Sequence, residues 1–157
     1  MTTPPVSLTL TSPDDTADFA TRLGNTLGPG DILLLEGPIG SGKTHFARSL
    51  IQSLMQVPED VPSPTFTLVQ AYDTQAGEVW HCDLYRLSMV EEVEELGLID
   101  AFETAICLVE WPDKLGPLTP QSALNLVFKT DPNAEEKRHL TLKWSDPKWS
   151  QKLETTT

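Results

Sequence analysis

Gly37-Pro38-Ile39-Gly40-Ser41-Gly42-Lys43-Thr44 carries the spacing GxxxxGK[ST], a set of residue types suited to holding a polyphosphate. The glycines let the backbone curl so that successive N–H groups point inward at an anion that larger side chains would obstruct. Lys43 has the reach to meet the outer phosphates, and the Thr44 hydroxyl is a hard oxygen ligand for Mg²⁺. Such chemistry also needs carboxylates, and two apolar runs end in one: Asp83 after Val79-Trp80-His81-Cys82, and Glu110 after Ile106-Cys107-Leu108-Val109. Both are Walker-B-like, placed to hold Mg²⁺ or to orient an attacking nucleophile, and position alone does not divide those roles. Each also reads as a polar residue that merely ends a strand. Ser63-Pro64-Thr65 closes the connection after the loop unit, where nucleotide switches carry a threonine that senses the terminal phosphate. A plain strand start accounts for that tripeptide equally well. Trp111, directly after Glu110, is either a cover for the site or a half-buried boundary residue.

The elements that must position these groups follow from periodicity. Asp31 to Glu36 is an apolar run of strand length immediately before the loop, and Phe46, Leu50, Ile51 and Leu54 recur at helical spacing after it. Strand, glycine loop and amphipathic helix in that order aim the positive end of the helix dipole at a bound anion. Upstream, Val6, Leu8 and Leu10 alternate as a half-buried strand. Ser12-Pro13-Asp14-Asp15 then caps a helix striped by Phe19, Leu23 and Leu27 and ended by Gly28-Pro29-Gly30. Phe66 to Tyr72 and Glu78 to Leu84 flank a turn at Asp73 to Gly77, which predicts an antiparallel hairpin. Glu91 to Gly97 reads as a short helix with a solvated acidic face, 106–109 as a buried strand, and 124–128 and 139–144 as two further strands. Alternation along the strand sends His81 and Asp83 to one face and Cys82 to the other, so these three form no compact metal site and Cys82 is core.

The chain of 157 residues is long enough for one core without disulfides, which predicts a single P-loop domain over 1–150 and a frayed tail over 151–157. The fold class expected is α/β, a P-loop NTPase-like three-layer arrangement whose mixed sheet includes an antiparallel hairpin. A formal net charge of −12 argues against direct, tight nucleic-acid binding, because neutralising phosphates needs a basic face. The two cysteines, Cys82 and Cys107, sit within apolar runs and fit core filling in a reducing cytoplasm. No apolar run is long enough to span a bilayer, and the first residues have neither the charge nor the apolar core of a signal segment.

Taken together and in order, the loop, Ser63-Pro64-Thr65-Phe66-Thr67-Leu68-Val69, His81-Cys82-Asp83-Leu84-Tyr85-Arg86-Leu87, Glu95-Leu96-Gly97 and Leu108-Val109-Glu110-Trp111-Pro112 resemble the TsaE (YjeE) family. The resemblance runs from about Gly37 to Pro112. It implies a small bacterial ATPase that works with the TsaD and TsaB proteins in threonylcarbamoyl modification of tRNA adenosine next to the anticodon; the net charge of −12 then leaves contact with tRNA to that complex. Carried over by position, it implies ATP and Mg²⁺ as ligands, with Gly37, Gly40, Ser41, Gly42 and Lys43 around the phosphates and Thr44 and Glu110 on the metal. It further implies that Lys43, Thr65, Asp83 and Glu110 support hydrolysis, and that Arg138 approaches the nucleotide. The chain departs from the family pattern at Pro38-Ile39, where an acidic residue and leucine are common, and at Cys82, where phenylalanine is common. Pro38 removes one N–H from the loop and leaves those of Gly40, Ser41, Gly42 and Lys43.

A small-molecule kinase would share the same loop. It would also have to clamp an acceptor, typically with several arginines, whereas Arg22, Arg48, Arg86 and Arg138 are scattered and no basic lid segment is present. A nucleotide-binding scaffold without turnover would dispense with the carboxylates at 83 and 110. No guanine-reading Asn-Lys-x-Asp element follows either strand, which favours ATP.

Overall fold

The structure, a computed structural model, describes residues 3–65 and 67–156. The strand start expected at Phe66 and the last residue of the expected tail, Thr157, lie outside the described residues. In chain order the elements are β1 (Val6–Leu10), α1 (Pro13–Gly24), β2 (Ile32–Glu36), α2 (Lys43–Leu54), β3 (Val69–Thr74), β4 (Gly77–Asp83), α3 (Glu91–Glu95), α4 (Leu98–Thr104), β5 (Ile106–Glu110), a 3-10 segment (Pro112–Leu118), β6 (Leu124–Asp131), β7 (Ala134–Lys143) and α5 (Lys148–Glu154).

The strands form one seven-stranded sheet in the order β1-β7-β6-β2-β5-β4-β3. β2 runs parallel to both β5 and β6, and β4 parallel to β5, while the hairpins β3–β4 and β6–β7 and the β1–β7 pair are antiparallel. Side chains that alternate along β2 divide the core into two. Leu33 and Leu35 join Phe19 and Leu23 of α1 and Phe46, Leu50 and Ile51 of α2, whereas Ile32 and Leu34 meet Val93, Leu98 and Phe102 on the opposite face. Helices thus cover both faces of a mixed sheet, the three-layer α/β arrangement expected.

α2 holds the loop in register because its apolar stripe is sunk into the first of these clusters. Phe46, Leu50 and Ile51 are fully buried, and each such burial contributes about 1.5–3 kcal/mol. Gly24 of α1 lies so close to α2 that a Cβ there would come within 3.2 Å of Leu50. At the start of α1 the Ser12 hydroxyl accepts a hydrogen bond from the Asp15 N–H at 3.2 Å, as its sequence predicts. The helix ends at Gly24, before the glycine-proline punctuation, because Thr26 and Leu27 close the last turn onto the carbonyls of Leu23 and Gly24.

Gln151 to Glu154 are not a frayed tail. They complete α5, which is docked by the buried side chains of Trp149 and Leu153 and by Lys148 and Lys152, whose ammonium groups lie 2.9 and 3.0 Å from the Asp31 carboxylate. Burial alone would raise the Asp31 pKa, but the two ammonium partners and the Gly28 N–H outweigh it and hold the carboxyl below its ordinary value. Among the described residues no helix is long and apolar enough to cross a membrane.

Candidate nucleotide site

β2 delivers the chain into the glycine loop at its carboxyl end, between β5 and β6, the end of a parallel sheet where ligands are held. Gly37 has φ +149°, and a Cβ there would stand 2.6 Å from Ser41 Oγ and 2.7 Å from the Phe128 carbonyl oxygen. No side chain fits between the loop and β6. Pro38 turns the tip, where its carbonyl accepts from the Ser41 N–H at 3.1 Å. The Ser41 N–H, expected to face the phosphates, is therefore used within the loop. Gly42 caps α2 in the left-handed region at φ +104° and supplies no side-chain hydrogen bond. The Phe46 N–H bonds to the Gly42 carbonyl at 2.9 Å, while the first-turn N–H groups before it receive no side-chain cap and carry the positive dipole end. Ser41 Oγ is buried without any partner beneath them. An uncapped helix start with an unsatisfied hydroxyl at its base fits an anionic ligand.

The Lys43 side chain is nearly buried, its ammonium donating to the Gly37 carbonyl and lying 3.5 Å from the centroid of the Trp111 ring. Burial pushes its pKa down, opposed by the nearby charges of Glu110, Asp83 and Asp113. A cation held by a neutral carbonyl and an aromatic face gains most from exchanging them for a phosphate. Trp111 takes left-handed backbone angles of φ 59° and ψ 54°, rare for a residue with a side chain, and so turns the chain sharply after β5. Its ring is braced by Tyr85 at 4.9 Å between centroids. Both sequence readings of Trp111 agree with this placement: the ring lines the cleft over Lys43, and it is partly buried against the core cluster on that face of the sheet.

The carboxylates lie side by side, since the β4–β5 register pairs Asp83 with Glu110. Their partners differ. Glu110 Oε1 accepts from Thr44 Oγ1 at 2.8 Å, and its Oε2 from His81 Nε2 at 2.7 Å. Asp83 Oδ1 accepts from the Tyr85 N–H at 3.0 Å and its Oδ2 from Thr65 Oγ1 at 3.3 Å, with Ser63 Oγ 2.7 Å from the same Thr65 hydroxyl. One acid is thus tied to the loop hydroxyl and the other to the switch-like threonine. Thr44 Oγ1 with a Glu110 oxygen is an all-oxygen pair of the kind a hard divalent cation takes.

Lys43, Thr44, Thr65, Asp83, Glu110 and Arg138 all line one open cleft of about 850 Å³, within the range of small-ligand sites. Gly40 and Gly42 line it as well, while Gly37 and Ser41 support the loop from below. Arg138 reaches the loop from β7, donating from Nε to the Ser41 carbonyl at 3.0 Å and from Nη2 to the Gly40 carbonyl at 3.3 Å. Sequence reasoning assigned no role to His81, Asp113 or the cleft-lining Glu135 and Glu136. The alternation that placed His81 on the face of Asp83 was a usable signal for the first. Nothing in the local pattern marks the glutamates, because they reach the cleft on β7, whose hairpin with β6 lies beside β2 only through the sheet order. Cys82 and Cys107 are fully buried. Burial holds the Cys82 thiol well above its ordinary pKa and lifts Cys107 to about 12, so neither supplies a thiolate near neutral pH.

The sequence model of a family described as threonylcarbamoyl adenosine biosynthesis protein TsaE matches residues 10–140. A Rickettsia bellii protein named tRNA threonylcarbamoyladenosine biosynthesis protein TsaE is 39% identical over 120 residues, covering 76% of this chain and 83% of its own. A Bacillus subtilis protein of the same name is 37% identical over 119 residues, covering 75% of this chain and 73% of its own. The crystal structure of Bacillus subtilis YdiB superposes with a TM-score of 0.82 at 26% identity, covering 99% of this chain and 96% of that one.

Proposed function

The chain belongs to the TsaE family, and from that premise we propose that it is a Mg²⁺-dependent ATPase that supports the TsaD and TsaB proteins in threonylcarbamoyl modification of tRNA adenosine in the cytoplasm. The observation that carries the ATPase assignment is the Thr44–Glu110 hydrogen bond of 2.8 Å at the mouth of an uncapped helix, with Lys43 beside it. Phosphates would lie on the first-turn N–H groups of α2 and meet the Lys43 ammonium once it leaves Gly37 and Trp111. Thr44 and Glu110 would hold Mg²⁺, which when bound neutralises charge that develops on the phosphate oxygens. Asp83, fixed by the Tyr85 N–H, is the base that accepts a proton from water as its oxygen bonds to the terminal phosphorus and the bond to the ADP oxygen breaks. Thr65 would place that water against Asp83. Arg138, tied to the loop carbonyls, borders the nucleotide and stiffens the loop that receives it. Arg138, the arginine that lines the cleft, is engaged with the Ser41 and Gly40 carbonyls and is not aimed as a finger at the transferring group, so turnover by the chain alone is slow and partners raise it. The acidic surface keeps tRNA contact indirect.

Phosphate release from ATP by the purified chain, with no acceptor added, is the direct test of the ATPase assignment. Release should be measurable, should require Mg²⁺ and should increase when TsaD and TsaB are supplied. Consumption of ATP only after a small-molecule acceptor is added would identify a kinase instead.

A further inference from the structure

His81 is fully buried on β4, and outside its bond to Glu110 the ring does nothing visible: Nδ1 has no partner. Desolvating an imidazole is costly, and Val79, two residues earlier on the same face of the strand, shows that an apolar side chain packs there. What the ring adds is one hydrogen bond of 2.7 Å to Glu110 Oε2. A carboxylate accepts and does not donate, so Nε2 carries the proton. The terminal torsion of a glutamate is broad and roughly two-fold, which leaves an unanchored carboxylate free to turn its plane. With Oε2 held by His81, the plane is set and Oε1 faces Thr44 Oγ1 at 2.8 Å.

We infer that His81 is a positioning residue: it fixes the Glu110 carboxylate so that Oε1 and the Thr44 hydroxyl together present a preformed pair of oxygens to Mg²⁺. This rests on the Mg²⁺-ATPase function proposed above. A partner that orients a metal ligand typically changes metal affinity by about 10–100-fold, and the effect belongs to the metal, not to the nucleotide base or the loop.

The readout is the ratio of affinities for a non-hydrolysable ATP analogue in Mg²⁺ and in EDTA, measured by calorimetry. His81→Asn, whose amide falls short of Oε2, should lower that ratio by about tenfold while affinity in EDTA stays at the parent value. His81→Gln carries its amide farther, can donate to Oε2, and should restore the ratio. Glu110→Gln serves as the control and should lower the ratio at least as much as His81→Asn. A parent-like ratio in His81→Asn with the ratio lost in Glu110→Gln would overturn the positioning role alone. Equal losses in EDTA and in Mg²⁺ for both His81 variants would reduce the residue to core packing and also overturn it. A parent-like ratio in Glu110→Gln would remove the Mg²⁺ site itself, and the inference with it.

Discussion

Lys43→Ala should lower ATP hydrolysis by about 10³-fold, equivalent to ~4 kcal/mol of barrier, because in the proposed scheme it removes the ammonium that meets the charge developing on the transferring phosphoryl group. The ammonium is poised for this: burial has already stripped much of its water, and its present partners are the Gly37 carbonyl and the face of Trp111. The fold should survive, since α2 is anchored by Phe46, Leu50 and Ile51, none of which depends on the lysine. Phosphate release at saturating Mg-ATP, with a thermal melt to verify folding, measures both. Parent turnover in a folded Lys43→Ala protein would remove the phosphate loop from the chemistry.

Asp83→Asn should slow hydrolysis by about 10²-fold or more while nucleotide affinity is kept or tightened. The amide is nearly isosteric, so its oxygen can still accept from the Tyr85 N–H and its nitrogen can face Thr65. Only the negative charge, and with it the capacity to take a proton from water, is lost. Loss of one charge beside the phosphates removes repulsion, which is why binding does not fall. Single-turnover hydrolysis alongside equilibrium binding separates the two effects. Weaker binding with an unchanged rate would move Asp83 from proton acceptor to binding residue.

The phosphate loop, its flanking strand and helix, and the two strand-end acids were legible because each is set by local chemistry: glycine conformations, an apolar stripe, a carboxylate ending a buried run. The β3–β4 hairpin was legible from its turn, although β3 begins at Val69, later than expected, since the Leu68 N–H closes a turn onto the Pro64 carbonyl with Leu68 itself at φ 67°. β6 and β7 extend well beyond the apolar cores that announced them because each strand completes the other's backbone hydrogen bonds across the polar stretch 129–138. α4 and α5 went unread. Each is seven residues long, too short for a stripe to stand out, and each exists because the sheet offers a place to bury Phe102 or Trp149. The division of partners between Asp83 and Glu110 could not be read from sequence, since both end parallel strands at matched register and only the placement of Thr44 and Thr65 distinguishes them. The Glu110–His81 contact is invisible in the same way, being a diagonal between two strands whose adjacency the chain order does not state.

The most direct test of the whole account is tRNA modification in a reconstituted system of TsaD, TsaB, unmodified tRNA, the threonylcarbamoyl donor and ATP. With this chain present the pair should form threonylcarbamoyladenosine over repeated cycles, and with Lys43→Ala in its place it should not. Full modification without the chain, or equal modification with the Lys43→Ala protein, would contradict the claim that its ATP hydrolysis serves that reaction.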